Sequence, residues 1–112
     1  MGADEIIHQS TRLRIMAALN TLERREALEF TRLKAIVDVT DGNLGAHLDR
    51  LAKAGYIEVE KLFVGRRPQT RVRATTSGRR AFRGHAAFLH KVIDAAVPPR
   101  PRLQRKTRQR PL

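Results

Sequence analysis

Between Asp41 and Gly55 the chain repeats apolar residues at helical spacing. Leu44, Leu48, Leu51 and Gly55 follow an i, i+4, i+7 pattern and fall on one narrow stripe. Asn43, Ala46, His47, Arg50 and Lys53 fall on the opposite side. The pattern predicts a helix with Asp41 as N-cap and Gly55 ending it in a left-handed conformation. Its outward face is small at the start, with Gly42, Gly45 and Ala46, and polar in the middle. A helix of that shape can press closely into a groove.

The flanking patterns predict the rest. Ser10 can cap a helix running to about Leu22 whose apolar residues point in nearly every direction. It is therefore either central to the core or half in a subunit interface, with Ile15 as the interface candidate. Leu22 to Glu26 reads as a charged turn and Ala27 to Phe30 as a short strand. Thr31 then caps a second helix with Leu33, Ile36 and Val37 inward, and a tight connection leads to Asp41. Two short helices so joined form a helix-turn-helix. After Gly55 the period changes to two. Tyr56 to Phe63 reads as a strand, Gly65 to Gln69 as a turn and Thr70 to Ala74 as a second strand, giving a β-hairpin with a basic tip.

Thr75 or Thr76 caps a last helix to about Ala96. Its apolar residues, including Phe82, Phe88, Leu89, Val92 and Ile93, cover roughly half the wheel, against the ~100° a core-facing helix needs. The surplus predicts that part of this helix meets a second subunit, since large exposed apolar surfaces mark interfaces. His85 falls within the apolar arc and is read as a packed histidine. His85 and His90, five apart, are poorly spaced for a metal.

Charge adds the partner class. Of 112 residues, 23 are Lys or Arg and 11 are Asp or Glu, a net charge of +12. Residues 1–40 are neutral, so the whole excess lies in the half that holds the outward-facing helix. A polyanion is the natural partner. Residues 97–112 carry six basic and no acidic groups with four prolines, the composition of a disordered arm or solubilising tail. The chain has no cysteine, which excludes disulfides, thiolate metal sites and cysteine nucleophiles. No phosphate loop, serine triad or paired-carboxylate cleft is evident, so an enzyme is not expected, nor any cofactor. With no long apolar run or signal layout, a cytoplasmic protein is expected.

The order helix, strand, helix-turn-helix, β-hairpin, helix is that of a winged helix, an α+β fold. Specific residues sharpen the match. Thr40-Asp41-Gly42-Asn43-Leu44-Gly45-Ala46-His47-Leu48, then Leu51, Ala54-Gly55-Tyr56-Ile57, and then Lys61 through Thr70 resemble a "TDGNLxxHLxxLxxAGYVxxxKxFxGRxPxT" signature. It belongs to small single-domain winged-helix transcriptional regulators related to the MarR and ArsR regulators. Arg12-Leu13-Arg14-Ile15 resembles the "RLxIL" of their first helix, and the likeness covers about residues 8–93. Arg73-Ala74-Thr75-Thr76-Ser77-Gly78 departs from the family's "RLTPxG" at Ala74 and Thr76.

The resemblance implies binding of double-stranded DNA as a homodimer, with repression the commoner mode. The expected recognition-helix contacts are Asp41, Gly42, Asn43, Gly45, Ala46, His47, Arg50 and Lys53. Asn43 can pair with adenine, and Arg50 or His47 with guanine acceptors or phosphate. Arg66, Arg67, Gln69, Thr70 and Arg71 are the expected wing contacts. Ile15, Phe82, Phe88, Leu89, Val92 and Ile93 are the expected dimerisation residues. A small-molecule effector is compatible with this. A winged-helix protein-interaction module and a non-specific architectural protein are the competing readings.

Overall fold

A computed structural model describes residues 2–97; Met1 and the basic tail from residue 98 lie outside the described residues. Helix α1 spans Ser10–Asn20, strand β1 Leu28–Glu29, helix α2 Phe30–Val37 and helix α3 Asp41–Lys53. Strands β2 (Ile57–Val64) and β3 (Arg67–Ala74) form the hairpin, and helix α4 covers Thr76–Ala96. The three strands make one antiparallel sheet in the order β1-β3-β2. This is the predicted α+β winged helix.

Helix α1 is central to the core. Ile15, Met16 and Leu19 have no exposed surface, and Leu13 and Ala18 pack against the same cluster. Ile15 is therefore core of its own chain and not a dimerisation residue, because nothing of it is left to touch a partner. The cap is Gln9 rather than Ser10: Gln9 is extended, and its side-chain oxygen accepts from Arg12 N at 2.9 Å. The helix stops at Asn20, short of Leu22. Thr21 Oγ1 donates to Ala18 O (2.7 Å), occupying a carbonyl that a further turn would use.

Two more starts are displaced, that of α2 by two residues and that of α3 by one. Helix α2 begins at Phe30 with no side-chain cap, and Thr31 Oγ1 donates instead to Glu29 Oε1 (3.1 Å). It ends at Asp38, whose φ of 56° is left-handed, a conformation Asp tolerates better than most residues. Arg14 Nη1 donates to the Val37 carbonyl at 3.1 Å, fixing the turn between the two helices against α1. Helix α3 is capped by Thr40, not Asp41: Thr40 Oγ1 accepts from Asn43 N at 3.2 Å.

The end of α3 is as predicted. Gly55 has φ +81°, Gly55 N donates to Ala52 O (2.9 Å) and Tyr56 N to Leu51 O (3.0 Å), a Schellman closure. Leu44, Leu48 and Leu51 are buried in the core with Leu33, Val37, Ile57 and Val72.

The hairpin turn is tighter than the sequence suggests. Val64 pairs with Arg67, so only Gly65 and Arg66 form the turn, and Gly65 supplies the positive φ of 64°. Arg67, Pro68 and Gln69 belong to β3. Pro68 is tolerated there because β1 pairs only with Arg71 and Val72, leaving the outer edge of β3 free at Pro68.

Thr75 caps α4, its Oγ1 accepting from Gly78 N at 2.9 Å and donating to Gly55 O at 2.7 Å. Phe82, Phe88 and Leu89 are half-buried, whereas residues 91–97 are all exposed. Val92, Ile93 and Val97 keep 47, 57 and 53 % of their surface. His85 is packed as expected, 1 % exposed, accepting from Asp4 N through Nδ1 at 3.1 Å.

Candidate nucleic-acid interface

The outward face of α3 follows from its buried leucines. With Leu44, Leu48 and Leu51 inward, Gly42, Asn43, Gly45, Ala46, Arg50 and Lys53 are exposed. Gly42 and Gly45 have nothing of the protein within 4 Å of a Cβ placed on them. The fold itself therefore has no steric need for glycine at either position.

The charged groups on this face differ in availability. Asp41, which would repel a polyanion, is paired with Lys34 at 2.7 Å. Lys53 is paired with Asp49 at 3.0 Å, one helical turn away. Among the described residues Arg50 has no carboxylate partner, and the Asn43 side chain makes no hydrogen bond, so these two are the uncommitted polar groups of the helix.

His47 departs from its expected place. It is half-buried and faces α1, where Arg12 Nη1 lies 3.1 Å from its Nδ1. A guanidinium only donates, so Nδ1 accepts and the proton of the neutral ring sits on Nε2. Burial and then the adjacent Arg12 charge lower the pKa of His47. Arg12 is itself lowered by burial and by Arg50, and it also donates through Nε to Ile6 O at 2.6 Å. These groups line a cleft of about 660 Å³ between the N-terminal segment and α3, bounded by Ile6, Arg12, His47, Arg50 and Lys53.

The wing supplies the second basic element. Arg66 and Arg67 are exposed at the tip. Gln69 is committed to the fold: its Nε2 donates to Glu29 Oε2 at 2.6 Å, and its Oε1 accepts from Arg71 Nε at 2.8 Å. It holds Arg71 in place and is not a free contact. Thr70 is half-buried and lines a groove with Phe30, Leu48 and Val59, and Arg71 is exposed.

The sequence reading missed several residues that build this surface. Phe63 at the tip is 72 % exposed beside the arginines. Asp4 ties the N-terminal segment to Tyr56 and to His85 of α4. Its Oδ1 accepts from Ile6 N and Ile7 N, and its Oδ2 from Tyr56 Oη at 2.6 Å. The bond to Asp4 is the first cause of the rise in the Tyr56 pKa to about 12. Arg12 enters the sequence reading only through the "RLxIL" likeness, and no local pattern links it to His47.

Residues 11–93 match the family model described as a winged helix DNA-binding domain. The chain belongs to that family. It is 36 % identical over 81 residues to an uncharacterized protein of Methanocaldococcus jannaschii, covering 72 % of this chain and 85 % of that one. A transcriptional regulator homologue from Pyrococcus horikoshii OT3 superposes with a TM-score of 0.75 at 28 % identity, over 85 % of this chain and 91 % of that chain. BpsR of Bordetella bronchiseptica shares the fold alone, with a TM-score of 0.66 at 13 % identity over 93 % of this chain and 76 % of its own. The chain is thus a winged-helix DNA-binding protein of the transcriptional-regulator type. Among the described residues no helix is long and apolar enough to cross a membrane.

Proposed function

We propose that this protein is a sequence-specific transcriptional repressor that binds DNA as a homodimer, with α3 in the major groove and the wing at the adjacent minor groove. The observation that carries the reading is the face of α3. It offers two glycines that the fold does not need, beside Arg50 and Asn43, which among the described residues have no carboxylate partner and no side-chain hydrogen bond respectively. Glycine weakens a helix, so its presence at an exposed position fits a partner surface that must come close. Asn43 is suited to adenine and Arg50 to guanine, each good pairing contributing roughly 1–3 kcal/mol of discrimination. Arg66, Arg67 and Arg71 are suited to phosphates or a narrow minor groove.

The homodimer is supported by the exposed apolar end of α4, where Phe88, Leu89, Val92 and Ile93 continue past the core. Two-fold pairing through α4 would set two recognition helices about one DNA turn apart, ~34 Å. The proposal leaves room for a small-molecule effector, since the DNA binding of BpsR is regulated by 6-hydroxynicotinic acid.

Selection of bound sequences from a random duplex pool, followed by titrations over a salt series, tests the reading. A two-fold-symmetric consensus with a steep salt slope is the expected result. Equal affinity for every sequence would sink the claim of specificity, and a monomer in sedimentation at micromolar concentration would sink the dimer.

A further inference from the structure

At the end of the hairpin remote from its tip, three arginines from three elements face one cavity of about 340 Å³. Arg24 comes from the turn between α1 and β1, Arg73 from β3 and Arg79 from the first turns of α4; Glu58, Thr75 and Thr76 also line it. The charges are poorly matched. Arg73 Nη1 and Nη2 lie 4.0 and 3.9 Å from Glu58 and Glu60, at the limit of ion pairing. Among the described residues Arg24 and Arg79 have no carboxylate within that distance. Arg24 Nη2 donates to Thr76 Oγ1 (3.3 Å) and Arg79 Nη2 to the Glu23 carbonyl (3.0 Å). Arg73 Nε and Arg79 Nε are shut off from solvent without an acceptor.

Like charges around one hollow repel, and buried N–H groups are nearly always paired. The start of α4 adds to the imbalance. Its positive end reaches the cavity through Thr75 and Thr76, and its first turn holds no acidic residue. An oxyanion in the cavity would offset the excess charge, accepting from the guanidinium groups that line it and from the helix terminus.

We propose that this cavity binds a small anion bearing a phosphate or carboxylate group, held by Arg24, Arg73, Arg79 and the N-terminus of α4. The site lies at the end of the hairpin opposite the wing tip, two residues along β3 from Arg71. Seven residues of extended strand separate Arg66 from Arg73, roughly 23 Å at the usual strand rise. An anion there ties the base of the wing to α4 and to the turn after α1, and so fixes the wing against the helix proposed to pair the subunits.

The test uses the full chain with inorganic phosphate and with malonate as probes, against chloride at equal ionic strength, read by calorimetric titration and thermal melting. At least one oxyanion is expected to bind and to raise the melting temperature by several degrees where chloride does not. Arg24→Gln/Arg79→Gln should weaken that binding at least tenfold. Arg66→Gln/Arg67→Gln, which removes the same charge from the tip, should leave it within twofold. Arg24→Gln alone, at an exposed turn, should still weaken it about threefold, which guards against a misfolded double variant. Equal losses in the two double variants would show diffuse attraction to a basic protein and overturn the proposal, as would equal effects of chloride. Displacement of the bound oxyanion by duplex DNA in the Arg66→Gln/Arg67→Gln variant would assign the cavity to the DNA backbone and overturn it too.

Discussion

Arg12 donates from Nη1 to Nδ1 of His47 across 3.1 Å, joining the first turn of α1 to the middle of α3. The bond exists only while His47 is neutral, because a protonated ring has no acceptor to offer. Burial first and then the Arg12 charge hold the His47 pKa below its ordinary value, and burial and then His8 do the same for His85 against a raising pull from Asp4. Both histidines therefore take up protons less readily folded than unfolded. Their contribution to stability is intact above the unfolded value of about 6.5 and is lost as pH falls from there through the lower folded values. Denaturant melts between pH 7.5 and 5.5 should show stability falling with acid. His47→Gln, which keeps an acceptor but does not titrate, should shallow that fall. An unchanged slope in the variant would show that the contact with Arg12 carries no proton linkage.

Gly45 separates the needs of the fold from those of the partner. A methyl group there meets nothing in the protein, and alanine is the better helix former by about 1 kcal/mol. Gly45→Ala is expected to stabilise the free protein by about 0.5–1 kcal/mol in urea melts and to weaken binding to the selected duplex at least fivefold. Greater stability with unchanged DNA affinity would place the recognition surface elsewhere.

The extent of this surface that can be read from the chain depends on how local its causes are. The stripe of Leu44, Leu48 and Leu51 with the Gly55 stop places α3 correctly because spacing and a single left-handed residue determine it. The starts of α1 and α3 shift by one residue and that of α2 by two, because neighbouring side chains such as Thr40 and Asp41 can both cap. Only the backbone conformation decides between them. The wing turn is overestimated because Pro68 reads as a turn residue when no neighbouring strand is foreseen. The orientation of His47 and the convergence of Arg24, Arg73 and Arg79 arise from residues distant in sequence, and no periodicity carries them.

Gly78 shows the opposite case to Gly45. It is buried in α4, and a Cβ there would overlap the Tyr56 carbonyl oxygen and lie 2.8 Å from its carbon. That backbone is held by Thr75 N donating to Tyr56 O (3.0 Å) and by the closure of α3, so neither side can give way easily. Gly78→Ala should destabilise the protein by about 3 kcal/mol, at the upper end for overpacking, despite the better helix propensity of alanine. A melting temperature within two degrees of the parent would mean that the start of α4 is free to shift away from Tyr56.

Arg66 and Arg50 are expected to act on DNA in different ways. Arg66 sits on the exposed two-residue turn of the wing and is assigned to the backbone, whereas Arg50 stands on the outward face of α3 and is assigned to base edges. A phosphate contact weakens binding to all sequences alike and contributes about 0.9 to the slope of log affinity against log salt. A base contact costs roughly 1–3 kcal/mol on the selected site and much less on random duplex. Arg66→Ala should thus lower the salt slope by about one and keep the ratio of specific to non-specific affinity. Arg50→Ala should collapse that ratio roughly tenfold or more, as loss of such a base contact predicts. If Arg50→Ala instead lowers both affinities equally, Arg50 is a backbone contact, and Asn43 is left as the residue on α3 that reads sequence.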